Sequence, residues 1–221
     1  MLETLIELAP EILKATGETL LMLAICLSAA VVIGGALGLL VFLTSRGQSL
    51  ERFRAFNLIA NGVINVVRSF PFIILLVAIS PFTRVIAGTS IGPLAASVPL
   101  SIAAIFYFAR LIEQTLRDLP RGVIEAAEAM GASPLQIIRH VLLVEARSGL
   151  VLAVTVLAVS FLSYSAVAGV VGGGGIGDLA IRYGYYRFQT DVMVITIVLL
   201  IILVQSVQFF GQWAARRVDK R

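Results

Sequence analysis

The chain reads as an all-α polytopic membrane protein, on three observations. Of its 221 residues 59% are hydrophobic and only 14% charged, and its mean hydropathy of +0.99 is not that of a soluble domain. The apolar residues gather into five runs long enough to cross about 30 Å of hydrocarbon at about 1.5 Å per residue. Most of the Lys and Arg residues fall between those runs.

Taken in order, residues 1–18 place Leu2, Leu5, Ile6, Ala9, Ile12 and Leu13 at roughly helical spacing. That predicts a short interfacial helix, weakened by Pro10. Glu3, Glu7, Glu11 and Glu18 against a single Lys14 give the wrong sign for a cleavable signal peptide. The first span, 19–43, is therefore expected to be its own insertion signal. Within it Gly34 and Gly38 form a small-xxx-small pair for close helix packing. After a basic link with Arg46, Arg52 and Arg54, the second span runs over 55–82 and contains Arg68 and Pro71. Asn57, Asn61, Asn65 and Arg68 are spaced by four, four and three, so they share a helix face. Polar groups at this depth must face protein or water. Two readings stand: hydrogen bonding between helices, or the border of a solute path. Pro71 is expected to kink the span.

The third span, 90–112, is entered through Gly92-Pro93, is interrupted by Pro99, and ends near Arg110. The fourth crosses at 148–168, leaving Gly169 to Gly177 at its mouth. The fifth, 192–215, ends in Arg216, Arg217, Lys220 and Arg221, with Trp213 as an interfacial anchor. Residues 1–221 thus form one transmembrane domain. Placing residues 118–145 inside puts Arg46, Arg52, Arg54, Arg110, Arg117, Arg121, Arg139, Arg147 and the terminal four cations in the cytoplasm. Lys14, Arg84, Arg182 and Arg187 then lie outside. The positive-inside rule gives N-out, C-in.

Residues 118–145, DLPRGVIEAAEAMGASPLQIIRHVLLVE, are the one long polar interruption. Asp118 is expected to cap a first short helix, with Pro120 in its opening turn. Gly131 supplies a left-handed stop. Ser133, Pro134 and Gln136 then restart the chain with a capping box. The result is a stiff charged elbow between the third and fourth spans. The spacing Glu125-Ala126-Ala127, Gly131, Val141-x-Leu143 resembles the EAA loop of ABC-importer permeases. Val141 replaces the usual Ile, and Val144 stands where that pattern has Pro, so a kink at the following helix is not expected from the resemblance. The alternative is an ordinary helix on the bilayer surface.

Other motifs point away from chemistry in this chain. Gly172 to Gly177 is not a nucleotide loop, because no Lys-Ser/Thr pair follows it and no strand precedes it; its glycines serve close backbone approach or a bend. His140 is the only histidine and Cys26 the only cysteine, so neither a metal site nor a disulfide framework is expected. No nucleophile–base pair is present, and the expected catalytic residues are none. Glu125 and Glu128 are read as lying near a helix start, where carboxylates favour the dipole. Ser160, Ser163, Tyr164 and Ser165 make a polar patch that either bonds back to helix carbonyls or lines a path for a small zwitterion. Gln205, Gln208 and Gln212 are expected to pack or to bond between helices. The net charge of +4 is spread over loops, which excludes a nucleic-acid footprint.

The resemblance extends to RSFPFIILLVAISPFTRVIAGTSIG (68–92) and SYSAVAGVVGGGGIGDLAIRYGY (163–185), which are similar to the permeases of bacterial methionine importers over nearly all of residues 17–213. It implies a type I ABC-importer permease fold in a bacterial inner membrane. It also implies a homodimeric path, two copies of a cytoplasmic ATPase that binds ATP and Mg, and a lipoprotein delivering methionine from outside. This chain would hold no cofactor itself and would not be an enzyme. Its coupling residues would be Glu125, Ala126, Ala127, Met130 and Gly131. Asn61, Asn65, Arg68, Ser160, Ser163 and Tyr164 are the candidates for lining the path. The rival readings are a permease for another small amino acid or a secondary transporter driven by an ion gradient. The second would favour inverted repeats and midplane acids, and neither is found. A membrane-anchored scaffold would not need so well-capped an elbow.

Overall fold

The structure is a computed structural model that describes residues 7–219; all the regular elements among them are helical. The expectations for Leu2, Glu3, Leu5, Ile6, Lys220 and Arg221 lie outside the described residues. Helix α1 runs unbroken from Ala9 to Leu43. The separate interfacial helix expected before residue 19 is therefore corrected. Pro10 falls in the first turn of α1, where a missing N–H has no partner to lose, so it starts the helix instead of weakening it. Residues 30–34 of α1 form one π-helical turn.

The second apolar run is not a single crossing. Helix α2 (Arg54–Ser69) ends at Phe70, and α3 (Phe72–Ala78) leaves at 101° to it. The cause is Pro71. It has no N–H to continue the ladder and holds the preceding residue extended; Phe70 has φ −74° and ψ 130°. A third piece, α4 (Ser80–Ala87), closes with Gly88 in the left-handed region. The span 55–82 is thus a broken pair, and counting it as one gives up to five crossings by length and composition.

Helix α5 (Pro93–Arg117) continues as one helix through Pro99, so the expected interruption is absent. Helix α6 (Arg121–Ala129) and the helical run α7 (134–145) build the elbow. Helix α8 (Arg147–Val170), the short α9 (175–185) and α10 (Thr190–Val218) complete the chain.

Helix α5 lies at the middle, packed by α1, α2, α3, α4 and α8. In lipid no hydrophobic force drives helices together, so close packing of small residues does that work. A Cβ on Gly34 would lie 2.5 Å from the Ile105 carbonyl oxygen, and one on Gly38 2.4 Å from that of Ala109. The small-xxx-small pair therefore sets how near α1 comes to α5. The side chains of Gln205, Gln208 and Gln212 make no hydrogen bond to another described residue. Of the two expectations, bonding between helices is not found; Gln205 and Gln212 are exposed on the outer helix, and Gln208 is half-buried, as packing requires.

Gly38→Ala is expected to lower the midpoint of thermal unfolding in detergent, at a cost of about 1–3 kcal/mol for overpacking. Gly62→Ala, where a Cβ meets nothing within 4 Å, should hold the midpoint or raise it slightly. Equal midpoints for the two variants would show that the α1–α5 approach is not set by Gly38.

Candidate coupling elbow and solute path

The elbow is built by local hydrogen bonds. At the end of α6, Ala132 N–H donates to the Ala127 carbonyl (3.1 Å) and Gly131 N–H to that of Glu128 (2.9 Å). This is a Schellman pair, and it requires the left-handed φ of +77° found at Gly131. Two residues later the Ser133 N–H donates to Gln136 Oε1 at 2.8 Å, as a capping box demands. Asp118, by contrast, does not cap α6. It closes α5, its N–H donating to the Gln114 carbonyl, while Pro120 takes the N-cap position of α6. Nor do Glu125 and Glu128 lie at a helix start, because α6 begins at Arg121 and has no acid in its first turn.

The two faces of the elbow differ. Ile124, Ala127, Ile137, Leu142 and Ala146 belong to the same apolar core as Leu100, Leu116, Leu157 and Phe161 of the bundle. On the other side Glu125, Ala126, Glu128 and Gly131 are exposed. Met130 is 82% and Leu135 73% exposed. His140 is exposed as well.

Just before the elbow, α5 holds an ion cluster around a buried acid. Glu113 is 1% exposed and pairs with both Arg110 and Arg117, the latter at 2.7 Å. Arg110 Nη2 also donates to Asn65 Oδ1 on α2 at 2.8 Å. Nothing in the sequence singled out Glu113. Its spacing of three from Arg110 and four from Arg117 is the signal that could have found it.

The candidate path residues divide. Asn65 ties α2 to α5, and Asn57 ties α2 to α1 through the Val41 carbonyl (2.7 Å) and Thr44 Oγ1 (3.2 Å). Asn61 bonds back to Asn57 on its own helix. Ser163 is exposed, with only a 3.5 Å contact to the Val159 carbonyl. Arg68 and Tyr164, in contrast, face one cleft of about 100 Å³, together with Phe70, Phe72, Tyr107 and Phe161. Ser160 joins it indirectly, its hydroxyl lying 3.5 Å from that of Tyr107.

The glycine run is taken up by its own chain. Gly175 N–H donates to Glu18 Oε2 (2.8 Å) and Ile176 N–H to Thr19 Oγ1 (2.9 Å). The first of these amides thus meets a carboxylate of α1 and the second a hydroxyl of α1. A Cβ on Gly177 would fall 2.2 Å from the Ala166 carbonyl oxygen, so close backbone approach is what the glycines provide.

Membrane-length helices, a broken pair around a polar cleft and a stiff polar elbow define a permease-like integral membrane protein. The chain belongs to the family of binding-protein-dependent transport system inner membrane components, matched over residues 30–221. It is therefore a multi-pass component of the inner membrane, and the relatives are transport permeases. The chain is 49% identical, over 95% of its length and 93% of the relative's, to the probable D-methionine transport system permease protein of Vibrio cholerae. It is 42% identical to the methionine import system permease protein of Bacillus subtilis, with 96% and 95% covered. Among solved structures, the fold is similar to a chain of the MetNI methionine ABC transporter in an inward-facing conformation. There the TM-score is 0.91 and the identity 44%, with 95% of this chain and 96% of that one covered. A more distant amino acid ABC transporter (TM-score 0.79, 18% identity, 97% of each chain) shares the fold.

Glu113→Ala is expected to cost about 3–5 kcal/mol by leaving Arg110 without its buried partner, read as lost thermal stability of the purified protein. Asn65→Ala removes one hydrogen bond and should cost no more than about 1–3 kcal/mol. If Glu113→Ala were no worse than Asn65→Ala, the cluster would not be a structural tie.

Proposed function

We propose that the chain is the membrane-spanning permease subunit of an ATP-driven importer for methionine, L- and D-isomers alike. Two copies share one translocation path. Two ATPase subunits, which bind the ATP and Mg, dock on the elbows, and a methionine-binding lipoprotein feeds the path from outside. Residues 1–221 act as one domain in surrounding lipid, N-out and C-in.

The observation that carries this reading is the elbow's division of labour. Its inner face is continuous with the bundle core, while Glu125, Ala126, Glu128, Met130 and Gly131 stand exposed. Glu128 lies in the last turn of α6, where the helix dipole disfavours a carboxylate, so a basic residue on a partner would relieve it. Exposed Met130 and Leu135 supply an adaptable apolar tip for a groove. The relatives' assignment to methionine import, at 42–49% identity, supports the substrate. Asn61, Asn65, Ser160 and Ser163 would border the path at its margins, and Arg68 and Tyr164 would face it.

Mechanically, ATP closes the ATPase pair and the elbows move with it. Because each elbow is packed into its bundle, the displacement reaches α5 and α8, and the path opens alternately to either side. Turning such an equilibrium from 1:99 to 99:1 takes about 5.5 kcal/mol of differential binding. The nucleotide has to supply most of that.

Purified permease is expected to bring down an ATPase subunit, and the complex in liposomes to accumulate methionine only with ATP present. Uptake driven by an ion gradient without nucleotide would reject the reading. Met130→Asp should abolish ATPase co-purification while leaving the permease folded, because its side chain buries little in the free chain. Gly131→Val forces a β-branched residue to φ +77°, a strain on the order of 1–2 kcal/mol. It should lower uptake per ATP hydrolysed, whereas Gly122→Ala, with open space around it, should not.

A further inference from the structure

Arg68 is an exposed cation at the edge of an aromatic cleft. It lies in the last turn of α2, next to the break at Phe70 and Pro71. Within an apolar segment an ionised side chain is costly and normally pairs with an acid. Arg110 and Arg117 have Glu113, and Arg182 has Asp178. Arg68 has no carboxylate and no hydrogen-bond acceptor among the described residues. Its guanidinium lies over the ring of Tyr107, 5.7 Å from guanidinium carbon to centroid. A face-on aromatic contact leaves the guanidinium N–H fork free for a planar anion.

The rest of the cleft is aromatic. Phe72 and Tyr164 stack at 5.0 Å, and Phe161 meets Tyr164 edge-on at 5.0 Å and Tyr107 at 5.9 Å. These rings join α3, α5 and α8 and offer a surface suited to a polarisable thioether or another slender apolar side chain. The space, about 100 Å³, holds several waters or the head of a small amino acid. No acid lines it, so an ammonium group would meet hydroxyls and ring faces but no counter-ion. The cleft therefore distinguishes the two ends of a zwitterion.

We propose that this cleft is a transit subsite for amino acids inside the permease, in which Arg68 receives the solute's α-carboxylate and the stacked Phe72–Tyr164 pair, backed by the buried Phe161, seats its side chain. The proposal deepens the importer reading and rests on it. It makes the permease a second point of recognition, one that reads the carboxylate and tolerates change at the amine.

The test uses the assembled permease–ATPase complex in detergent, without the delivery protein, and saturation-transfer NMR, which detects weak binding. Methionine and 4-(methylthio)butyrate, which lacks the amine, are both expected to bind. Methioninamide, which lacks the carboxylate, should bind roughly tenfold more weakly or not at all, as befits loss of a charge-assisted hydrogen bond. Arg68→Gln should weaken the first two by a similar factor, and Arg68→Lys should restore part of the loss. Equal binding of methioninamide and methionine would overturn the proposal. So would undiminished binding in Arg68→Gln, which places the solute elsewhere, or no binding by the wild-type complex. The ligand comparison needs no variant, so it decides the matter even if Arg68→Gln fails to assemble. Co-purification of an ATPase separately tests the importer reading, so either can fail alone.

Discussion

The contact on which the molecule turns is the apolar seam where the elbow meets the bundle. Leu116 at the end of α5 is 1% exposed, Leu142 1%, Ala146 2% and Ile137 3%, and all belong to the core that also holds Phe161 and Leu100. This seam lies where water begins on the proposed topology, so burial there has a hydrophobic driving force of about 1.5–3 kcal/mol per large side chain. Deeper in the membrane that force disappears, and adhesion passes to close backbone approach at Gly34 and Gly38. The two regimes meet on α5. Its Arg110–Glu113–Arg117 cluster sits between them and binds α2 through Asn65.

Stiffness follows from how the elbow is terminated. A helix end with free carbonyls frays, and a frayed lever absorbs displacement instead of passing it on. At the end of α6 the Ala127 and Glu128 carbonyls are taken up by the two N–H groups after the helix, and the next helix starts with its own cap three residues later. Only a residue tolerant of φ +77° closes that geometry without strain, which is why glycine stands at 131. The run 134–145 then leads, through the single non-helical Ala146, into α8, so the elbow has few soft joints.

What the sequence made legible was what short-range chemistry decides. Apolar run length placed the long helices, and the Gly131, Ser133 and Gln136 pattern placed the elbow's turn, because those bonds join residues no more than five apart. Spacing of four placed the Asn stripe on one face but left its partners open. They are the Val41 carbonyl and Arg110, on other helices. The glycine run was read correctly as a place of close approach. That its amides are held by Glu18 and Thr19, 157 residues away, has no local signature at all. A proline's effect depends on its position in the helix, which local sequence does not fix. Pro10 opens α1, Pro99 is carried inside α5, and Pro71 alone breaks the chain.

A path through such a protein has to recognise its solute and then release it, so no contact along it should be saturated. The broken pair α2–α3 meets that requirement physically. Breaking at Phe70 and Pro71 brings a helix end and its Arg68 up to an aromatic wall, where the guanidinium is already held by the Tyr107 ring. On the proposed reading, a carboxylate arriving there would gain hydrogen bonds from a cation that no acid competes for, and Tyr107 would keep its hold on that cation as the solute left. A buried acid beside Arg68 would have made the segment cheaper to fold and useless for anions. An exposed Arg without the ring would have had nothing to hold it at the cleft. Arg68 over Tyr107 sits between those limits. In the proposed importer, a rigid elbow would then shift a weakly held solute with a modest displacement of α5, which carries both Tyr107 and part of the seam.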